Sequence, residues 1–544
     1  MGQSRKFPGN FRKALFLAAS VASVWATSAR AEFLPPPAQL MTTGQADQFN
    51  ATVGRKLVGG GQPEEVLPAL DALLLRLNEP SQFRGYVQFL RASILSGGSR
   101  GLDAVAAIDE SIRLLPGYSG PLIVAADVYT YADRPGSAAD FLMRASQIDP
   151  EIVRQIDDYQ IGSLARRLAA VKDHRRLGML STRLLEIGWT GTGLQSKSDL
   201  AIEAIRLKVK SGDLAAARAL LPDVLDPREL YTMLSENLYQ PLWPDIEKWA
   251  GPKLERQWRA YLFEARGRFA ATNNPEATKD YVTALVAAGR DDVMIQDVLP
   301  LFSGKIDPDE MDLVFVVPSL AGALAREGRW QDVARLFQSA EAIWPLENQP
   351  NALNVFANHA RFLLFEGRPA EALVVMDKAI AAAKKWGGSV NSDAIAAMHS
   401  YRYCMLQELG RQAEAGFSMA MAIAQQGVET TLEMHLCAGN MDAARQTLLG
   451  ALSREDDQGK VIRFMHAPID GPYRSSYGAK LRQRRNQLRA DPILLREVRK
   501  YGRILPFASN EGARSLKLDS SPAASDPEVT AGRDSDGELA LANR

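Results

Sequence analysis

This chain has few residues of the kinds that enzymes use for chemistry. Its 544 residues include two cysteines and five histidines. No histidine stands in a His-Glu-x-x-His pattern, and the sequence has no Cys-x-x-Cys pair and no Walker phosphate-binding loop. His466 and Asp470 are kept as an alternative, the acid–base pair of a repeat-bearing envelope enzyme, although no nucleophile accompanies them. The sequence therefore predicts a protein that is not an enzyme and that needs no cofactor or metal.

Long apolar segments are also lacking. The strongest run, Leu313 to Ala325, contains Pro318 and is shorter than the roughly 20 residues that span a bilayer. Residues 1–31 have the pattern of a secretory signal, in which a basic start precedes the apolar stretch Ala14 to Ala26 and a small-x-small cleavage site. We therefore expect a mature chain that is exported, soluble and periplasmic or secreted, without a transmembrane segment.

The two cysteines leave two interpretations open. Cys404 and Cys437 fall in predicted first helices of neighbouring helical pairs. In an oxidising compartment, a disulfide between them would close a loop of about 33 residues. Alternatively, both are buried free thiols that pack as small apolar groups.

A helical-pair pattern recurs along the chain. Its clearest copy has a turn glycine, Gly328, and then Trp330, Val333, Phe337 and Ala340 at helical spacing. Two prolines that end second helices, at positions 116 and 150, lie 34 residues apart. Equivalent triplets are Ala104-Ile108-Ser111, Ala138-Leu142-Ala145, Ala372-Met376-Ala379, Ala415-Met419-Ala422 and Ala444-Leu448-Ala451. This order and period resemble the tetratricopeptide repeat (TPR) family over most of residues 57–455, strongly in five units and weakly between about 155 and 300.

The resemblance implies an all-α fold, a right-handed α-solenoid of TPR-like helix pairs. In such a fold the alanines allow close helix crossing, and Phe337, Met376 and Met419 are expected to fill the space between units. Scaffolds of this family hold a peptide or protein on the inner face of their first helices. The inward-facing positions of the family correspond here to Asp127, Tyr131, Asn354, Arg361, Phe365, Gln407 and Glu408. The alternative is that these are ordinary exposed helix residues.

Composition divides the chain into segments. We predict a signal peptide over 1–31, an extended leader over 32–56, an N-terminal solenoid over 57–302, further repeats over 303–455, a basic cap over 456–514 and a disordered tail over 515–544. Residues 228–265 are rich in aromatic residues and interrupted by prolines. We expect short helices there, whose rings fill a joint between two solenoid arms rather than form a docking surface.

Charge is concentrated near the C-terminus. Residues 460–514 carry thirteen Lys and Arg against four Asp and Glu, which leaves −14 for the rest of the mature chain. Val461 to Met465 alternates and predicts a short strand or extended arm, whereas Leu494, Val498 and Tyr501 predict a capping helix. The alternative for this segment is a surface that binds an anionic glycan or lipid, and not nucleic acid, through Lys480, Arg482, Arg484, Arg485, Arg489, Arg499, Lys500 and Arg503.

The sequence thus predicts a non-catalytic adaptor of the cell envelope. Its solenoid groove would bind a protein or peptide partner, whose identity the residues do not give.

Overall fold

The computed structural model describes residues 40, 42–54, 63–96, 101–272, 274–304, 306–386, 390, 392–423, 427–466, 474–514 and 516. The predicted signal peptide, Asp470 and nearly all of the predicted tail lie outside these residues. The chain forms two compact units, which divide between Asp223 and Val224. This differs from the division predicted at residues 302/303, because residues 228–265 pack against the C-terminal segment and so belong to the second unit.

The first unit is a stack of packed helices. Its helices are α1 (Thr43–Phe49), α2 (Pro63–Arg76), α3 (Gln82–Ser96), α4 (Gly101–Leu114), α5 (Ser119–Tyr131), α6 (Pro135–Ile148), α7 (Pro150–Arg154), α8 (Asp158–Ala170), α9 (His174–Glu186), α10 (Ser196–Lys210) and α11 (Leu214–Ala219). Helix α3 packs on α4, and α5 packs on α6. The triplets Ala104-Ile108-Ser111 and Ala138-Leu142-Ala145 are buried in these pairs, as the repeat pattern predicts.

The predicted extended leader is wrong over residues 42–54, which are helical. Thr42 and Gln45 form a capping box at the start of α1, in which each side chain accepts a hydrogen bond from the other's backbone N–H. Phe49 is buried and makes T-shaped, edge-to-face contacts with the rings of Phe83 and Tyr86. The apolar contact and the cap together stabilise a helix where composition alone indicated an extended chain.

The second unit continues the same architecture. Its helices are α12 (Pro227–Ser235), α13 (Trp243–Ala250), α14 (Glu255–Thr272), α15 (Pro275–Ala288), α16 (Asp291–Val298), α17 (Leu313–Arg326), α18 (Trp330–Ile343), α19 (Leu353–Glu366), α20 (Pro369–Trp386), α21 (Ser392–Glu408), α22 (Gln412–Ile423), α23 (Val428–Ala438), α24 (Met441–Leu452), α25 (Glu455–Met465), α26 (Ser476–Arg489), α27 (Pro492–Val498) and α28 (Glu511–Arg514). Helices α17/α18, α19/α20, α21/α22 and α23/α24 are packed pairs.

The turn glycines of these pairs behave as the pattern predicts. Gly328, Gly367, Gly410 and Gly439 have φ between 72° and 92°, a conformation that a side chain disfavours. Phe337 and Met376 are fully buried, but Met419 is 38% exposed and does not fill the space between units. Helix α22 instead presents Ala415, Ser418 and Ala422 to its neighbours, so the packed position falls on Ser418.

The predicted strand at residues 461–465 is also wrong, because these residues lie in α25. Three acidic residues occupy the first turn of this helix, where their negative charges interact favourably with the positive end of the helix dipole. Val461, Ile462 and Met465 then lie on one buried helical face. Among the described residues there are no strands beyond an isolated bridge between Glu236 and Gly502, and no helix is long and apolar enough to cross a membrane.

Candidate functional site

Two of the predicted groove residues of the second unit, Arg361 and Phe365, lie close together. Helices α19 and α21 are the first helices of adjacent pairs, and they bring Arg361, Phe365 and Tyr401 together. The Arg361 guanidinium lies 5.2 Å from the centre of the Phe365 ring and 5.4 Å from that of Tyr401. Arginine stacked between aromatic rings in this way makes a flat surface that can hold another aromatic side chain.

This groove is occupied by the chain's own helix α26. The buried Tyr477 ring stacks on Phe365 with 6.3 Å between ring centres. Lys480 lies 3.7 Å from the Glu408 carboxylate one turn further along α26. The backbone N–H of Ser475, just before α26, donates to the Phe365 carbonyl oxygen at 3.1 Å. The groove of the second unit is therefore filled within the chain.

The next turns of α26 are held by arginines. Arg484 donates to the Leu436 and Cys437 carbonyl oxygens at 2.6 and 2.9 Å, which satisfies groups left open at the end of α23. Arg485 forms an ion pair with Glu433 at 2.5 Å. These contacts explain why a segment so rich in basic residues lies against an acidic body.

Most of the basic residues proposed for anion binding are thus used inside the unit. Arg489 donates to the Phe464 carbonyl oxygen, and Lys500 pairs with Glu497 in its own helical turn. Arg503 lies 3.8 Å above the Trp243 ring and donates to the Leu234 carbonyl oxygen. Six of the eight residues, Lys480, Arg484, Arg485, Arg489, Lys500 and Arg503, therefore make contacts within the unit. Arg482 and Arg499 are exposed on α26 and next to α27.

The remaining predicted groove residues of the second unit have structural contacts. The Asn354 amide donates to the Val314 carbonyl oxygen of the preceding pair at 2.9 Å. A hydrogen bond joins the side chains of Gln407 and Tyr403. Both side chains are half-buried and make contacts within the unit.

Cys404 and Cys437 form a disulfide that links α21 to α23. Both cysteines are buried, and Cys437 is the residue whose carbonyl oxygen accepts from Arg484. Of the two interpretations of the sequence, the structure has the bonded pair. The disulfide joins two helices that α26 contacts, α21 through Lys480 and Glu408 and α23 through Arg484 and the Cys437 carbonyl oxygen.

His466 is a packed residue of the core. Its Nε2 accepts from the Leu505 backbone N–H at 3.0 Å, and its Nδ1 lies 2.8 Å from the Ile462 carbonyl oxygen. The acceptor role of Nε2 places the proton on Nδ1, so the imidazole is neutral. Burial lowers the pKa of His466, and its ring makes a T-shaped, edge-to-face contact with the ring of Tyr231. With both nitrogens engaged, the alternative of an enzyme site at His466 gains no support.

The first unit offers a different surface, formed by the inner faces of α5 and α8. Asp127 and Tyr131 lie one turn apart on α5, and Gln160 and Ser163 lie one turn apart on the neighbouring helix α8. Tyr131 is 48% exposed, and the Arg167 guanidinium of α8 lies 5.7 Å from the centre of its ring. We call these five residues the α5/α8 face.

The α5/α8 face surrounds a shallow apolar hollow. Ile123, Ile156 and Leu164 form its floor, and the hollow encloses about 20 Å³. That volume has room for about one water molecule, which is too little for a small-molecule ligand. The carboxylate, amide and hydroxyl groups around it can bind a peptide backbone, and the exposed tyrosine can contact a side chain.

The geometry of the chain is TPR-like. No family model and no curated protein matches the sequence. Solved structures similar to it include Cut9 of the APC/C Cut9–Hcn1 hetero-tetramer (13% identity, 88% of this chain and 96% of that one, TM-score 0.27). Yeast Tom70 is 14% identical, with 84% of this chain and 98% of that one covered and a TM-score of 0.27. The TPR domain of P58(IPK) is 12% identical, with 82% of this chain and 100% of that one covered and a TM-score of 0.19. Likeness at these scores tells nothing about partners, and the TPR-like assignment rests on the helix pairs and turn glycines above.

Sequence reasoning missed the partners that complete each surface. Tyr477 was not identified as an aromatic anchor, and Gln160, Ser163 and Arg167 were not identified as groove residues. For α8 a signal was present, because these three recur at helical spacing on a helix that follows the α5/α6 pair. For Tyr477 the sequence carries no comparable signal.

Proposed function

We propose that this protein is an exported, non-catalytic scaffold of the cell envelope, and that its α5/α8 face binds an extended segment of a partner protein. One observation supports this most directly. The inner face of the second unit is filled by α26, whereas α5 and α8 present an exposed tyrosine and several polar side chains around an apolar hollow. Tyrosine and arginine are the residue types that most often dominate binding energy at interfaces.

The chemistry of this face favours an extended peptide that carries an apolar side chain. Gln160 can both donate to and accept from a peptide backbone, and Asp127 can accept from a backbone N–H or a basic side chain. The apolar floor suits a side chain that presses on the surface without entering a deep pocket. Tyr131 and Arg167 together would cover the bound segment on one side.

Two features support export. Residues 1–31 have the pattern of a cleavable signal. The second feature is the Cys404–Cys437 disulfide, because disulfides form and persist mainly in oxidising compartments outside the cytosol. Export predicts that protein recovered from the producing cell begins at Glu32, which an intact mass measurement would establish. Recovery of an uncleaved chain in the cytosol would contradict this part of the proposal.

Binding can be tested with a random peptide library displayed against the mature chain. We expect selected peptides to bind with affinities that fall at least tenfold, about 1.4 kcal/mol, in Tyr131→Ala and in Arg167→Ala. Phe417→Ala is the matched control, since Phe417 is a 59% exposed ring in the second unit. Peptides that bind Tyr131→Ala and the unchanged chain equally well would refute the assignment of the α5/α8 face.

A further inference from the structure

Helix α26 has a second face, which points away from the groove. Its buried face carries Tyr477, Leu481 and Leu488. The opposite face lines a hollow of about 680 Å³, and the residues that line it are Arg474, Ser475, Ala479, Arg482, Gln483, Asn486, Gln487 and Ala490. We call this the α26 hollow.

The residues of the α26 hollow point to an extended, negatively charged peptide. Arg474 and Arg482 supply positive charge, and the described residues that line the hollow include no carboxylate. Arg474 also lies 3.6 Å from the Glu366 carboxylate, which is not among the residues that line the hollow. Gln483, Asn486 and Gln487 each offer a donor and an acceptor, as a peptide backbone requires. Among the described residues that line the hollow there is no aromatic ring that could stack on a sugar.

We propose that the occupant is this chain's own acidic segment, residues 517–544. The segment contains six Asp and Glu against three Lys and Arg, and it is rich in Ser, Ala, Pro and Gly. It follows Leu516, whose carbonyl oxygen accepts from Arg290 at 3.0 Å and so fixes the start of the segment on the second unit. Charge complementarity and a fixed starting point on the same unit together select this occupant.

The acidic segment is long enough to reach the α26 hollow. Its 28 residues can extend over roughly 90 Å. A compact unit of about 290 residues has a radius of gyration of about 19 Å, so most points on its surface lie within that reach. Tethering gives an effective concentration on the order of millimolar, so even a weak interaction would keep the hollow filled. The acidic segment would then compete with any acidic partner for the α26 hollow.

The test compares two full-length chains. In one, the acidic segment is neutralised by Asp519→Asn, Asp526→Asn, Glu528→Gln, Asp534→Asn, Asp536→Asn and Glu538→Gln. The probe is a fluorescein-labelled synthetic peptide with the native sequence of 517–544, and its binding is followed by anisotropy. We expect the probe to bind the neutralised chain at low salt, to dissociate at high salt, and to bind the native chain at least tenfold more weakly.

Point variants in the neutralised chain locate the site. Arg482→Glu is expected to weaken probe binding at least tenfold, and Gln487→Glu provides a second variant at the same hollow. Arg499→Glu is the matched control, because Arg499 is exposed next to α27 and does not line the hollow. Equal binding to the native and neutralised chains, or equal loss with Arg499→Glu, would overturn the proposal. So would a neutral version of the probe that binds as tightly as the acidic one.

Discussion

The disulfide is the residue-scale feature with the largest expected effect on stability. Cys404 and Cys437 close a loop of 33 residues, and loop-closure entropy gives about 3–4 kcal/mol for a loop of this length. We expect Cys404→Ala/Cys437→Ala to unfold at lower urea concentration than the unchanged chain. Tryptophan fluorescence suits the measurement, since six of the eight tryptophans lie between residues 243 and 386.

Reducing agent provides the control for this prediction. It should lower the urea midpoint of the unchanged chain and leave that of the double variant unaltered. Two reactive thiols in chain denatured without reductant would show that the bond is absent in the protein.

His466 makes the second unit sensitive to acid. Burial lowers its pKa in the folded chain below the usual value of about 6.5. The unfolded chain therefore binds more protons as the pH falls below about 6.5, and stability decreases there. Protonation also turns Nε2 into a donor, which breaks the bond from Leu505 N–H.

We expect the urea midpoint of the unchanged chain to fall between pH 7.5 and pH 5.5, and to fall less in His466→Gln. Burial also lowers the pKa of His399 and His435, but both are kept in the variant, so the difference belongs to His466. Equal decreases in the two chains would contradict this assignment.

At the residue scale, repeat positions identified some of the residues that meet in the second unit but not the segment that contacts them. Arg361, Phe365 and Glu408 were predicted from repeat positions, and all three contact or adjoin the segment that docks there. Tyr477 could not be paired with Phe365, because 112 residues separate them and no periodicity connects a capping helix to a given repeat. A contact of this kind depends on which repeat the C-terminal segment packs against, and local sequence patterns do not encode that.

Helix α26 is the element on which the inner face of the second unit depends. Tyr477 is buried, and its hydroxyl has no hydrogen-bond partner among the described residues. Tyr477→Ala should therefore cost about 3–5 kcal/mol of stability, as truncation of a buried aromatic ring does. Tyr477→Phe should be neutral or stabilising, since it removes a polar group that is buried without compensation.

Thermal unfolding of the two variants tests this pair directly. Loss of stability in Tyr477→Phe comparable to that in Tyr477→Ala would mean that the hydroxyl is bonded in the protein, for example to one of the nearby carboxylates. A small effect in both would mean that α26 does not dock as described.

Element types were harder to predict where two periodicities overlap. Val461, Ile462 and Met465 suit a helical face, but the window 461–465, in which four of five residues are apolar, is too short to distinguish a helix from a strand by periodicity. The acidic residues of the first helical turn favour the helix, and they lie outside that window. The prediction that Met419 is buried between units failed for a different reason. Ser418 is fully buried in its place, because a small side chain fits a close helix crossing that a large one does not.

On the scale of the whole second unit, the C-terminal segment returns to the beginning. Residues after α27 run along α12 and α14, where the Tyr231 hydroxyl donates to the Phe507 carbonyl oxygen at 2.8 Å. Trp258 Nε1–H likewise donates to the Ser509 carbonyl oxygen at 3.0 Å. The aromatic stretch 228–265 therefore forms the surface on which this returning segment packs. Its composition predicted buried rings, and only the fold shows what covers them.

The crossing at Gly502 allows this return and gives the sharpest test of it. A Cβ atom at Gly502 would overlap the Ser235 carbonyl oxygen and lie 2.7 Å from Ile462 Cδ1. Gly502→Ala should therefore displace the returning segment and speed amide hydrogen exchange in α12 and α14, which lie 230 or more residues away in sequence. Gly416→Ala is the control, because Gly416 lies in α22 with open space around it, and alanine there should stabilise the helix by about 0.5–1 kcal/mol. Unchanged exchange in α12 and α14 of Gly502→Ala would show that the helices of the second unit hold together without the segment that crosses them.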